Sequence, residues 1–381
     1  MRLNNLVIYN LKNKKKYDNP VPSFFTSGFV FIKLIDSDGN CGFGEPSPYI
    51  FGVKKMIHFL TAIFLHYFKN KELNKISLMK IKEELKNEDL KKIIACFDQA
   101  IKEILAKNKG KTVARCLAKN VKKKRIQLYA SGGMIFEKKD YSFLIEEANK
   151  YKEESYFGWK FRPRFPNANL SHNQRIKNPP PFDEKKLINF AVKLRKNVGD
   201  VFNLMLDCGG RCESIKQAKY LADALHELNF YFLEEPLQRK LSLYQKLAEK
   251  KLKLKIAGGE HIYSLKKFYF WKKFKLDIFQ PDTNLLTFGE IKNIEKFWKK
   301  EIIFHNWCNL INSAININYI LSSKNNIILE KNILKNPYQD LFINKSFKIT
   351  NGMVTALPNP GYGIKLKNLN KKNIICNEIK I

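Results

Sequence analysis

Residues 231–260 read YFLEEPLQRKLSLYQKLAEKKLKLKIAGGE. A short apolar run closes on two acids and a proline, an amphipathic stretch follows, and a second apolar run closes on another acid. Strand, helix and strand in that order make one βα unit. A parallel strand wrapped by helices is buried on both faces, so acids belong only where it emerges at its C-terminal end. Glu234 with Glu235, and Glu260, stand at that point of the two strands.

Working outward, the same pattern repeats from residue 125 onward. Strands are expected at RIQLYAS (125–131), YFGWKF (156–161), FNLMLD (202–207), YFLEE (231–235), KLKIAGGE (253–260), DIFQPD (277–282), EIIFHNW (301–307) and IILE (327–330). From Asp207 to Glu234, Glu260, Asp282 and His305 the steps are 27, 26, 22 and 23 residues, each one βα unit. Eight strands in strict alternation with helices predict a closed α/β barrel. One interval is long, the 47 residues from Lys160 to Asp207, and its RPRFPNANLSHNQRIKNPPPFDE is an inserted loop at the barrel mouth, with His172 a solvated residue or a substrate contact. Before the barrel, TSGFVFIKLIDSDGNCGFGE (26–45) is a β-hairpin, and residues 53–107 carry helical periodicity. His58 and His66 in that stretch are expected to be half-buried core residues. The domains predicted are an α+β domain over 1–124, a barrel over 125–350 and a C-terminal segment over 351–381.

Composition excludes several classes. With 381 residues, 44% hydrophobic and 13% aromatic, the chain builds a large core, and no uncharged apolar run of about 18 residues offers a membrane span. The net charge of +33 is spread among Asn and Ile along the whole length and forms no single patch, so it reads as solvated lysine faces, with steering of anionic substrates as its other use. Neither a nucleic-acid nor a membrane partner is expected. Seven cysteines without CxxC spacing read as reduced thiols, which together with a basic, non-signal N-terminus points to the cytoplasm.

Asp207, Glu234, Glu235, Glu260 and Asp282 each end a strand, and His305 follows the next. Three carboxylates facing one point repel one another unless a cation neutralises them, and oxygen-only donors select a hard ion such as Mg²⁺. Glu260 followed by His261 leaves a mixed zinc site as the other possibility.

These residues resemble the enolase superfamily, in its mandelate racemase and muconate lactonizing enzyme-like branch, close to the acid-sugar dehydratases. The resemblance rests on SGFVFIKLIDSDGNCGFGEPSP, YASGG, GWKFR, LMLDCGG, FLEEP, GGEH, FQPD, FHNW, IILE and GMVTALPNPGYGI. It implies a modified TIM barrel of (β/α)7β type under a capping domain that the C-terminal segment completes. It also implies that Asp207, Glu234 and Glu260 ligate one Mg²⁺, with Glu235 a neighbour. Asp282 and His305 would form a catalytic dyad, Glu330 would bond the substrate carboxylate as it becomes an enediolate, and Lys160 would be the first lysine of a Lys-x-Lys pair. Arg162, Tyr49, Trp307 and His261 are the implied substrate contacts. The loops at 17–26 and 46–53 would wall the pocket, with Tyr49 and Phe51 either part of that wall or interdomain packing, and symmetric homo-oligomers are usual.

Three positions depart from the pattern, one of them TFGE, which follows QPD where a Gly-Gly pair is common. Arg162 replaces the second lysine, and an arginine is effectively never deprotonated, so it cannot serve as a second base. DCGG replaces the usual Asp-x-Asn. A single base favours dehydration of a sugar acid to a 2-keto-3-deoxy acid, a lyase reaction on a small-molecule carboxylate. The alternatives are a racemase, epimerase or cycloisomerase, or a non-catalytic anion-binding protein on the same fold.

Overall fold

The computed structural model describes residues 2–13, 29–47, 52–118, 120–121, 125–133, 141–162, 183–274, 276–307, 310–323, 328–334, 338, 342–344, 347–356, 359–367, 369 and 374–381. Strands β1 (Leu3–Asn13), β2 (Phe29–Asp36) and β3 (Cys41–Gly44) form an antiparallel sheet, and β16 (Ile374–Lys380) joins it at the outer edge of β1. The expected hairpin is present, with Ile35 opposite Cys41 and Gly39 at φ 81° in the turn. Alternate residues of the sheet enter different cores. Leu6, Ile8, Ile32 and Leu34 pack with cap helices, while Val7, Tyr9, Phe31 and Phe43 join the large cluster shared with the barrel. Burial on both faces is the reason LVIY reads as an unbroken apolar run.

Helices α1 (Val53–Ile63), α2 (Leu78–Glu84) and α3 (Glu88–Asn108) cover one face of that sheet. The Asn87 side chain caps α3 by accepting from the N–H groups of Asp89 and Leu90. Helix α3 lies directly on β3: a Cβ at Gly44 would stand 2.0 Å from the Cys96 carbonyl oxygen, and one at Gly42 2.0 Å from that of Ala100. His58 and His66 are exposed, a correction to the half-buried expectation. Met56 and Leu60 face inward, and His58 lies two residues from each, about 200° round the helix.

A short α4 (Val113–Leu117) leads to β4 (Arg125–Gly132), after which strands and helices alternate. The strands are β5 (Gly158–Phe161), β6 (Asn203–Asp207), β7 (Phe230–Glu234), β8 (Lys255–Gly258), β9 (Ile278–Phe279), β10 (Glu301–Ile302) and β11 (Ile328–Asn332), which realise all eight expected strands. Between them stand α5 (Ser142–Glu153), α6 (Glu184–Val198), α7 (Ile215–Glu227), α8 (Leu241–Ala248), α9 (Leu265–Trp271), α10 (Phe288–Phe297) and α11 (Leu310–Ser322). Parallel ladders join β11 to β4 and then each strand to the next as far as β10. Side chains link β10 to β11, where Asn306 donates from its backbone to Glu330 Oε2 at 2.8 Å and from Nδ2 to the Glu330 carbonyl at 2.7 Å. Asp183, Ser214, Ser264 and Thr287 cap α6, α7, α9 and α10 with side-chain oxygens.

The C-terminal segment divides its pairing. Strand β12 (Phe342–Asn344) pairs with β15 (Ile364–Leu366), and the hairpin of β13 (Phe347–Thr350) and β14 (Met353–Ala356) runs antiparallel to β4, while β16 returns to the cap.

Strand periodicity positions the site. Tyr129, Met205, Phe232, Ala257, Ile278, Ile303 and Ile328 fill the barrel interior as one buried layer. Two residues further along a strand, the side chain returns to the same face. Those positions hold Ser131, Asp207, Glu234, Gln280, His305 and Glu330. Glu260 falls three residues after Ala257, and Gly259, at φ 109°, absorbs the extra residue.

A buried polar seam fixes cap to barrel beside Asp282. Lys82 Nζ lies 2.7 Å from both Glu290 Oε2 and the Leu285 carbonyl oxygen, and Gln99 Nε2 donates to the Thr283 carbonyl at 2.8 Å. Among the described residues no helix is long and apolar enough to cross a membrane.

Candidate active site

Lys160 stands at the centre of the barrel mouth, with Nζ 2.7 Å from Glu234 Oε2 and 2.7 Å from Glu330 Oε1. All three side chains are almost wholly buried. Burial opposes the ammonium, but Glu234 and Glu330 outweigh it and hold the Lys160 pKa above its ordinary value. The same burial raises Glu234 to about 8; Lys160 works against this, and Asp207, Glu330 and Glu260 add to it. One ammonium cannot neutralise the whole group, and the excess of acids shows as the raised pKa of Glu234. Gln280 Nε2 also donates to Glu234 Oε2 at 2.7 Å.

His305 lies across the mouth, with Nδ1 3.1 Å from Asp282 Oδ2 and Nε2 3.3 Å from Glu260 Oε2. Asp282 is itself oriented by the Asn284 N–H, 2.7 Å from Oδ1. Burial would lower the imidazole pKa, yet Glu260, Asp282 and Glu330 together raise it to about 10. Glu330 is depressed despite its burial, chiefly by Lys160 and His305 and by its bonds to Lys160 and the Asn306 N–H.

Each remaining carboxylate also meets a cation. Arg162 Nε is 3.1 Å from Asp207 Oδ2. Arg239 Nε donates to Glu235 Oε2 at 2.8 Å, and its Nη2 bonds Glu260 Oε1. Glu235 takes φ 40°, left-handed backbone that turns its side chain away from that of Glu234. Among the described residues no three His, Cys, Asp or Glu side chains converge on one point as ligands of an ion.

Among the implied substrate contacts, Arg162 is at the mouth and Trp307 is buried there, its Nε1 donating to Ser131 Oγ at 2.9 Å. His261 is turned away, with Nδ1 3.2 Å from Glu235 Oε1 and its ring edge-on to Trp271. It lines a cleft of about 890 Å³ between cap and barrel helices. Tyr49, His172, most of the 17–26 and 46–53 loops and nearly all of the long insertion lie outside the described residues. Two residues escaped the sequence reading. Gln280 was legible as the inward position of DIFQPD, whereas Arg239 sits in a loop with no periodic signal.

A parallel βα barrel with acids and a histidine at the C-terminal strand ends, under an α+β cap, is the architecture of an enzyme that works on a ligand held at the barrel mouth. Residues 144–370 match the family described as Enolase C-terminal domain-like, and the chain belongs to it, in the mandelate racemase and muconate lactonizing enzyme-like branch of the enolase superfamily. The chain is 25% identical over 371 residues to the D-gluconate/D-galactonate dehydratase of Picrophilus torridus, covering 94% of this chain and 90% of that one. It is 25% identical over 282 residues to the arabinonate dehydratase of Saccharolobus solfataricus, covering 72% and 69% respectively. A solved mandelate racemase/muconate lactonizing enzyme from Jannaschia sp. superposes with a TM-score of 0.80 at 20% identity, covering 96% of this chain and 95% of that one.

Proposed function

We propose that this enzyme removes the proton α to the carboxylate of a sugar acid and expels the β-hydroxyl as water, giving a 2-keto-3-deoxy acid. The observation that carries the reading is the asymmetry of the mouth. Among the described residues His305, oriented by Asp282, is the group placed to take and return a proton. Opposite it, Lys160 is held by two carboxylates and Arg162 stays charged at any working pH.

Asp282 can only accept, so the Nδ1 of His305 carries its hydrogen toward Asp282, and Nε2 is the atom that exchanges the substrate proton. Once Glu260 is neutralised, the chief cause raising the His305 pKa is gone and the ring can be neutral; the α-proton then passes to Nε2, the C–O bond at the β-carbon breaks, and the departing hydroxide takes that proton as water. The resulting enol tautomerises to the ketone. Lys160, charged between Glu234 and Glu330, is placed to bond the substrate carboxylate as negative charge gathers there.

Asp207, Glu234 and Glu260 have the donor chemistry of a hard divalent cation site, although their side chains do not converge on one point in this structure. They end three adjacent strands, and Asp207 is directly opposite Glu234 in the ladder. Six carboxylates (Asp207, Glu234, Glu235, Glu260, Asp282, Glu330) outnumber the cations around them (Lys160, Arg162, Arg239 and the His305 imidazolium), and the excess shows as the raised pKa of Glu234. Mg²⁺ bound by these three would act as a Lewis acid on the substrate carboxylate. The identities shared with the two sugar-acid dehydratases support the same reading.

The test is a library of mono- and di-acid sugars with Mg²⁺, scored for 2-keto product. In His305→Asn, turnover is expected to fall by roughly 10²–10⁴-fold, the usual share of a general base, with Mg²⁺ affinity retained. Undiminished turnover in that variant would sink the mechanism. Deuterium exchange at the α-carbon without loss of water would favour a racemase or epimerase.

A further inference from the structure

Two departures from the superfamily pattern meet in space. Arg162 stands where the pattern has a second lysine, and Gly209 stands where Asp-x-Asn has its asparagine. A Cβ built on Gly209 would lie 2.5 Å from Arg162 Nη2 and 2.9 Å from Nε, so any larger residue there makes the guanidinium shift. Gly209 also takes φ 55°, which glycine adopts at little cost.

The seat that results is on Asp207. Arg162 Nε lies 3.1 Å from Oδ2, while the Gly209 N–H donates to Oδ1 at 2.7 Å. Arg162 Nε makes no hydrogen bond among the described residues, so charge alone, without a directed bond, holds this pair. Such a contact is weaker than a charge-assisted hydrogen bond. The Arg162 side chain is 22% exposed while its Nε is buried.

We propose that Arg162 is a displaceable counter-cation of the metal site. It neutralises Asp207 until a divalent ion takes that carboxylate, and the freed guanidinium then binds an anionic oxygen of the substrate. Ion and acid substrate therefore bind with positive coupling, the ion first. This rests on the Mg²⁺ reading above and adds a role for two residues in controlling it.

The test is calorimetric titration of Mg²⁺ into the substrate-free protein, for wild type, Arg162→Gln and Gly209→Ala, with folding checked by circular dichroism. Removing the competitor should tighten Mg²⁺ binding in Arg162→Gln on the order of tenfold, within the usual range of coupled binding free energies, while KM for the acid substrate rises. Gly209→Ala keeps the guanidinium but denies it the seat, and should tighten Mg²⁺ binding in the same direction. Mg²⁺ affinity in Arg162→Gln equal to or weaker than wild type overturns the proposal while leaving the Mg²⁺ reading intact. Absence of Mg²⁺ binding in wild type and variants alike overturns the Mg²⁺ reading itself, and this one with it.

Discussion

Replacing Lys160 with methionine keeps most of the stem's volume and deletes the ammonium between Glu234 and Glu330. Both partners are within 1% of complete burial, and both contacts are 2.7 Å. Removing one partner of such a buried pair costs about 3–5 kcal/mol, because the charge left behind has no water to turn to. Glu234, raised to about 8, already tends to hold a proton, so the main loss falls on Glu330, which Lys160 holds low. With an unfolding entropy of roughly 2.1 cal/mol/K per residue, the 381-residue chain has about 0.8 kcal/mol/K, and Lys160→Met should lower Tm by about 4–6 °C. Scanning calorimetry in EDTA measures this directly. In saturating Mg²⁺ the gap should narrow, because an ion on Glu234 supplies part of the charge that the lysine gave. A variant melting within about 1 °C of wild type in EDTA, where a 3–5 kcal/mol loss is expected, would refute the claim that Lys160 holds the empty site together.

The His305 pKa stands at about 10 against an ordinary 6.5, so its imidazolium stabilises the metal-free fold. That stability is fully present below pH 6.5 and is lost as pH rises through about 10. Urea midpoints in EDTA for wild type and His305→Asn should therefore converge across that window, and parallel curves would count against the ion pairs drawn around the ring. Gly44→Ala should destabilise the cap by about 3 kcal/mol, the upper end for overpacking, because the obstructing atom is the Cys96 carbonyl oxygen of α3 and not a movable side chain. A guanidinium unfolding midpoint equal to wild type would show that α3 can lift off β3.

All eight barrel strands, the cap hairpin and the acids at the strand ends were legible in the chain. A buried parallel strand admits polar residues only at its exit, so FNLMLD, YFLEE and EIIFHNW mark both the strands and the site. His58 stands opposite the Met56 and Leu60 face of α1, so the helical period by itself places it on the outer side. Arg239 was illegible because loop residues follow no period, and its bridge from Glu235 to Glu260 spans two βα units.

The sequence by itself determined the barrel strands and the order of the carboxylates and His305 along them, because these follow from local periodicity of burial. Only the tertiary structure decided how the charges are matched: Lys160 between Glu234 and Glu330, Arg162 against Asp207 with Gly209 giving it room, and Arg239 across Glu235 and Glu260. Those pairings join side chains from different strands and loops, and charge acts through the space between them with no regard to distance along the chain.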